Sequence, residues 1–149
     1  MPSFRERLQQ PFPILFDGAM GTLLYQQGVF VNRSFEEVCT SNPSQIQSIH
    51  ESYIDAGAEV IETNTFGANT FVLAQYGLEN KIEEINKVAV QLAQSAAKNR
   101  SVYVAGSIGQ VYSDILHEID FHKVYKPQID ALVNAGVDLL CVETFSDMT

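Results

Sequence analysis

Three acidic side chains stand where a short apolar run gives way to polar or small residues. Asp17 follows Pro13-Ile14-Leu15-Phe16, Glu62 ends Glu59-Val60-Ile61-Glu62, and Glu143 ends Asp138-Leu139-Leu140-Cys141-Val142-Glu143. Such breaks read as buried strands opening into loops, which is where α/β enzymes collect their chemistry. Carboxylates converging there bind an ammonium group or transfer protons, although Glu62 could instead pair with a neighbour in a structural role. Asp17 also opens the run Asp17-Gly18-Ala19-Met20-Gly21-Thr22, whose small residues let the backbone come close to a ligand. Amide N–H groups and one negative charge would then face the same small molecule, a pattern suited to a ligand carrying both a carboxylate and an ammonium.

The other candidates carry less. Asn64, Thr65 and Asn69 follow Glu62 and either hydrogen-bond a ligand or satisfy the turn's own backbone. Gly106-Ser107-Ile108-Gly109 lacks both the GxGxxG pattern and a Walker lysine, so it reads as a strand-to-loop turn. His50 lies in an amphipathic segment and is expected to face solvent. His117 and His122 lie in a charged connection without metal-site spacing. Cys141 shares a strand face with Glu143 and is expected to be a small core residue, while Cys39 has no visible partner. No Cys/His or Ser/His/Asp set is present.

These residues need a frame of alternating strands and helices. Asn42-Pro43 starts a helix carrying Ile46, Ile49, Tyr53 and Ile54 and stopped at Gly57. Strands are expected over 59–63, 101–105 and 138–143, with helices over 80–98 and 127–135 and a partly helical loop over 111–125. Residues 53–63 and 132–144 repeat one pattern: helix end, glycine, acidic residue, apolar strand, Glu-Thr. The second strand is longer by an even number of residues, so both glutamates emerge on the same face relative to their glycines. Repeated βα units fit a (β/α) barrel or a doubly wound parallel sheet.

The bulk composition limits the partners. At 149 residues and 46% hydrophobic, the chain can build one domain with a core. A net charge of -9 without a basic cluster argues against nucleic acid and anionic membrane surfaces. The N-terminal ten residues lack a signal-peptide core, no membrane-spanning run is visible, and both cysteines are expected to be reduced in a cytoplasmic protein.

The runs Phe16 to Thr22, Ile61 to Asn69, Ala105 to Gly109 and Val142-Glu143-Thr144 together resemble the homocysteine S-methyltransferase family. Glu62 to Asn69 with Tyr76-Gly77-Leu78 is most similar to the homocysteine-binding module of cobalamin-dependent methionine synthase. Ser34-Phe35-Glu36-Glu37 is also similar to bacterial enzymes that fuse this activity to methylenetetrahydrofolate reductase. The resemblance implies an α/β (β/α)8 TIM barrel, with residues 1–149 supplying about the first four βα units. It further implies homocysteine held at the strand ends, its thiol activated by zinc, and a donor such as methylcobalamin or a methyltetrahydrofolate-linked group. Asp17 and Glu143 would hold the amino group, and the amides around Gly18, Ala19 and Met20 the carboxylate, with Asn64 and Asn69 as further substrate contacts.

The family's three zinc cysteines lie in the second half of its barrel, and neither Cys39 nor Cys141 matches them. This chain is therefore expected to hold no metal ligands, to be inactive alone, and to work with a C-terminal half-barrel or further domains beyond Thr149. Gln110, where relatives commonly carry proline, affects only loop detail. Two other readings stand beside this one. The first is a non-catalytic half-barrel pairing through its open sheet edges. The second is an α/β lyase or aldolase using Asp17 and Glu143 as acid and base, though Lys123 and Lys126 lie on no predicted strand to form a Schiff base.

Overall fold

A computed structural model describes residues 1–30, 32–112 and 119–146, so the expectations for His117 and for part of the 111–125 connection lie outside it. The helices, in chain order, are α1 (Phe4–Arg7), α2 (Met20–Gln26), α3 (Val38–Ser41), α4 (Pro43–Asp55), α5 (Thr70–Ala74), α6 (Ile82–Ala97) and α7 (Phe121–Ala135). The strands are β1 (Val60–Glu62), β2 (Tyr103–Gly109) and β3 (Leu139–Glu143).

The three strands form a parallel sheet in the order β1-β2-β3. Phe16 adds a fourth parallel segment beside Val60. That segment, expected as a strand, makes only one bridge, because Pro11 and Pro13 bring no N–H to a ladder. Its contacts are the Leu15 carbonyl accepting from Glu59 at 2.8 Å and the Asp17 amide donating to Val60 at 2.9 Å. The order contains no switch of direction, so these strands are not doubly wound.

Helices α4, α6 and α7 cover one face. Ile54, Ile61, Ala93, Ala96 and Val104 pack together there, as do Val90, Ile108 and Leu132. On the other face Val60, Tyr103 and Ala105 meet Phe4, Ile14, Phe16, Leu139 and Cys141. α1 closes the amino-terminal end of that face, with the Tyr103 hydroxyl donating to the Pro2 carbonyl at 2.8 Å. Arg7 holds the entering chain through Glu59 at 2.9 Å and the Pro13 carbonyl at 2.9 Å.

Two of these elements depart from their expected bounds by more than two residues. β2 runs through Gly109 instead of breaking at Gly106, because its glycines are sites of close packing. A Cβ on Gly106 would lie 3.1 Å from both Leu132 and Leu140. α7 begins at Phe121 and continues through Pro127, which cannot donate to the Lys123 carbonyl. The Thr70 hydroxyl lies 3.2 Å from that oxygen and 3.0 Å from the Val124 carbonyl, filling the gap.

His50, expected at the surface, is fully buried. Ile46, His50 and Ile54 follow one another at four-residue spacing, which places the imidazole inside the apolar stripe of α4. Neither ring nitrogen has a partner. Burial lowers the imidazole from 6.5 to about 4, so it is neutral at pH 7. Between those values the unfolded chain binds a proton that the folded chain refuses, and stability is lost as pH falls. His50→Leu is expected to raise the unfolding free energy by about 1 kcal/mol at pH 7, and by more as the pH approaches 4. Urea unfolding checks this, and a destabilised His50→Leu would contradict it.

Candidate functional site

At the carboxyl end of the sheet a cavity of about 450 Å³ is lined by Asp17 and residues 18–21, by Phe35 and Glu36, by Glu62, Thr63, Asn64 and Phe66, and by Ser107 and Glu143. The three strand-end acids anticipated from sequence therefore meet in one space. The sheet register explains why. Glu62 aligns with Ala105 and Ala105 with Leu139, so Glu62, Leu139, Cys141 and Glu143 share a face, as period-2 alternation requires. Cys141 also packs against the cluster on this face.

Asp17 is held by the Glu62 amide, which donates to its carboxylate at 2.9 Å. Burial pushes Asp17 from 3.8 up to about 7; the Glu62 amide opposes the shift, and the charges of Glu62 and Glu143 add to it. Glu62 is also raised, first by burial and then by Glu143, with a contact from Cys141 opposing the shift. Burial, reinforced by Glu62 and the other two acids, takes the Cys141 thiol up to about 12 and keeps it protonated.

The loop after Asp17 is pinned from below. The Tyr53 hydroxyl donates to the Ala19 carbonyl at 3.0 Å, and a Cβ on Gly18 would sit 3.0 Å from the Tyr53 hydroxyl oxygen. Ala19 caps α2 without a side-chain oxygen, leaving the first-turn amides beside the cavity with no side-chain acceptor.

The two asparagines part company. Asn64 lines the cavity, but its amide nitrogen donates to the Phe35 carbonyl at 2.7 Å and approaches the Cys39 sulfur at 3.5 Å. Cys39 thus has a partner, and burial raises its thiol to about 12. Asn69 is not on the cavity wall; its side-chain oxygen accepts from the Val72 amide at 2.9 Å and caps α5. Thr65 is buried and bonds to the β2 backbone. His122 is exposed in the first turn of α7.

Sequence reasoning missed Ser107 and Glu36. The Ser107 hydroxyl donates to Glu143 at 2.5 Å; the alternation Tyr103, Ala105, Ser107 would have signalled it had the strand been extended through its glycines. Glu36 is buried, accepting from Ser34 at 2.7 Å and from the Gly67 amide at 2.8 Å. No local pattern announces that long-range contact.

An α/β protein with a parallel sheet and an acid-walled cavity at its strand ends has the layout of a small-molecule enzyme. Residues 14–149 match the family model described as Homocysteine S-methyltransferase, and the chain belongs to that family. Its structure is similar to the homocysteine methyltransferase MmuM from Escherichia coli. The metallated form is 28% identical with a TM-score of 0.74, over 94% of this chain and 56% of that one. The apo form is 30% identical with a TM-score of 0.61, over 90% and 49%. The chain thus spans about half the length of these structures.

Among the described residues no group of three or more His, Cys, Asp or Glu side chains is arranged to hold a metal ion. Both cysteines are free, with Cys39 fully buried. No helix among the described residues is long and apolar enough to cross a membrane.

The raised Asp17 has a consequence for stability. Between 3.8 and about 7 the folded chain holds a proton that the unfolded chain releases, so its contribution to stability is lost as pH rises through that window. Asp17→Asn removes the charge and keeps an acceptor for the Glu62 amide. The variant is expected to be more stable by about 2 kcal/mol at pH 8, with the gain gone by pH 4. Thermal unfolding at the two pH values decides it, and equal or lower stability at pH 8 would contradict the burial argument.

Proposed function

We propose that this chain forms the amino-acid-binding half of a homocysteine S-methyltransferase. One observation carries the reading: among the described residues the cavity wall holds Asp17, Glu36, Glu62 and Glu143 and no Lys, Arg or His. Such a wall calls for a positive ligand group. Asp17 and Glu143 take the ammonium, and the amides at Gly18, Ala19 and Met20 take the neighbouring α-carboxylate. Asn64 supports the loop beside them, and Asn69 acts indirectly as a helix cap. An ammonium bound beside Asp17 favours its ionised form, so binding and deprotonation of Asp17 reinforce each other.

Residues 1–149 constitute the first half of a (β/α)8 barrel, supported by the unswitched parallel order and by coverage of 56% of metallated MmuM. Leu140 and Val142 on the outer face of β3 are 37% and 63% exposed, as expected of a face that further barrel helices would cover. The described residues do not fit a zinc site. The metal and the methyl donor belong with residues outside this chain. The two free cysteines suit a cytoplasmic setting.

Isothermal titration of the 149-residue chain with L-homocysteine tests the assignment. Homocysteine is expected to bind, and 4-mercaptobutanoate, which lacks the amino group, to bind about 100-fold more weakly. Affinity should fall as the pH drops below about 7, where Asp17 takes up its proton. Equal affinity for both ligands would overturn the assignment of the acids. The same chain is expected to show neither stoichiometric zinc nor methyl transfer; metal analysis together with a methionine-formation assay would expose either.

A further inference from the structure

We propose that Ser107 is a positioning residue that aims the Glu143 carboxylate into the amino-acid cavity. The inference rests on the homocysteine reading above for its ligand, and on hydrogen-bond geometry for its mechanism.

The Ser107 hydroxyl has one proton, and it is directed at Glu143 over 2.5 Å, bridging β2 to β3 at the cavity floor. A short bond from a hydroxyl to a carboxylate is among the stronger neutral-to-charged contacts. It leaves the Ser107 oxygen an acceptor only, matching the acids around it.

The peptide groups of Ser107 are themselves locked. Its amide donates to the Thr63 hydroxyl oxygen at 3.2 Å, and the Thr65 hydroxyl donates to its carbonyl at 2.8 Å. The two threonine hydroxyls lie 2.7 Å apart. Since the Thr65 proton is committed to Ser107, Thr63 must be the donor between them. The hydroxyls therefore run one way around a closed ring that begins at the Ser107 amide and ends at its carbonyl. Behind the ring, buried Gln128 donates to the Thr65 carbonyl at 2.6 Å and approaches the Ser107 carbonyl at 3.4 Å. Both threonines and Ser107 are buried, so water does not compete for these bonds. Any buried strand must pair its amide and carbonyl, but here the partners also fix the Ser107 backbone, and with it the direction from which the hydroxyl reaches Glu143.

The test uses the 149-residue chain and L-homocysteine in a double-mutant cycle. Ser107→Ala is expected to weaken binding about tenfold, the size of a lost charge-assisted bond. Glu143→Gln should weaken it further, and Ser107→Ala added to Glu143→Gln should cost almost nothing more, because the serine acts through the carboxylate. Effects that multiply in the double variant, or a Ser107→Ala affinity within about twofold of the parent, would overturn the inference. If the parent chain fails to bind homocysteine, the functional reading falls by itself. Ser107 is then judged in ligand-free crystal structures of parent and Ser107→Ala. The Glu143 carboxylate is expected to turn away from β2 in the variant, and an unmoved carboxylate would refute its positioning by Ser107.

Discussion

β2 lies between parallel neighbours and is buried along its whole length, and the remaining elements take their places from it. A strand covered on both faces cannot leave backbone groups to water, so β1 and β3 must pair with it in register. Its side chains must also be small where a neighbour comes close. Gly106 lies under Leu132 and Leu140, and Gly109 under the Phe66 ring, with a Cβ at the latter meeting ring atoms at 2.4 Å. That crowding draws α7 and the loop after β1 onto the strand, and the loop brings Phe66 to the cavity wall.

The same register collects charge. Parallel pairing puts Glu62 and Glu143 on one face, and the single Phe16 bridge delivers Asp17 to the same end. Three carboxylates approaching with no lysine or arginine among the described residues of the wall are costly to bury, and protonation of Asp17 relieves part of that cost. Backbone amides and hydroxyls stand in for a cation: the Glu62 amide serves Asp17, and Ser107 serves Glu143. This half-compensated arrangement is typical of binding sites, where the ligand completes the electrostatics.

Much of this was legible from local pattern. Helices α4 and α6 followed their 3.6-residue stripes, and α4 its proline start and glycine stop, since those signals are encoded within each segment. The shared face of Glu62 and Glu143 followed from parity along two similar strands. Other features were misread for identifiable reasons. His50 counts as polar in isolation, yet its spacing from Ile46 and Ile54 places it in the core. The glycines of β2 looked like a turn because close packing and chain reversal use the same residue.

The order of residues alone thus determined roughly where β1, β2 and β3 lie, that Glu62 and Glu143 share a face, and that Asp17 heads a loop of small residues. These depend on periodicity and backbone stereochemistry, which act over a few residues. Only the tertiary structure decided that the acids meet in one cavity, that Ser107 supports Glu143, that Glu36 holds the Gly67 amide, and that Asn69 caps a helix away from the cavity wall. Each joins side chains to partners set by sheet register and helix packing. The Ser107 to Glu143 contact spans 36 positions, and the Glu36 to Gly67 contact spans 31. No periodic pattern carries information over such separations; it exists only once the strands are paired.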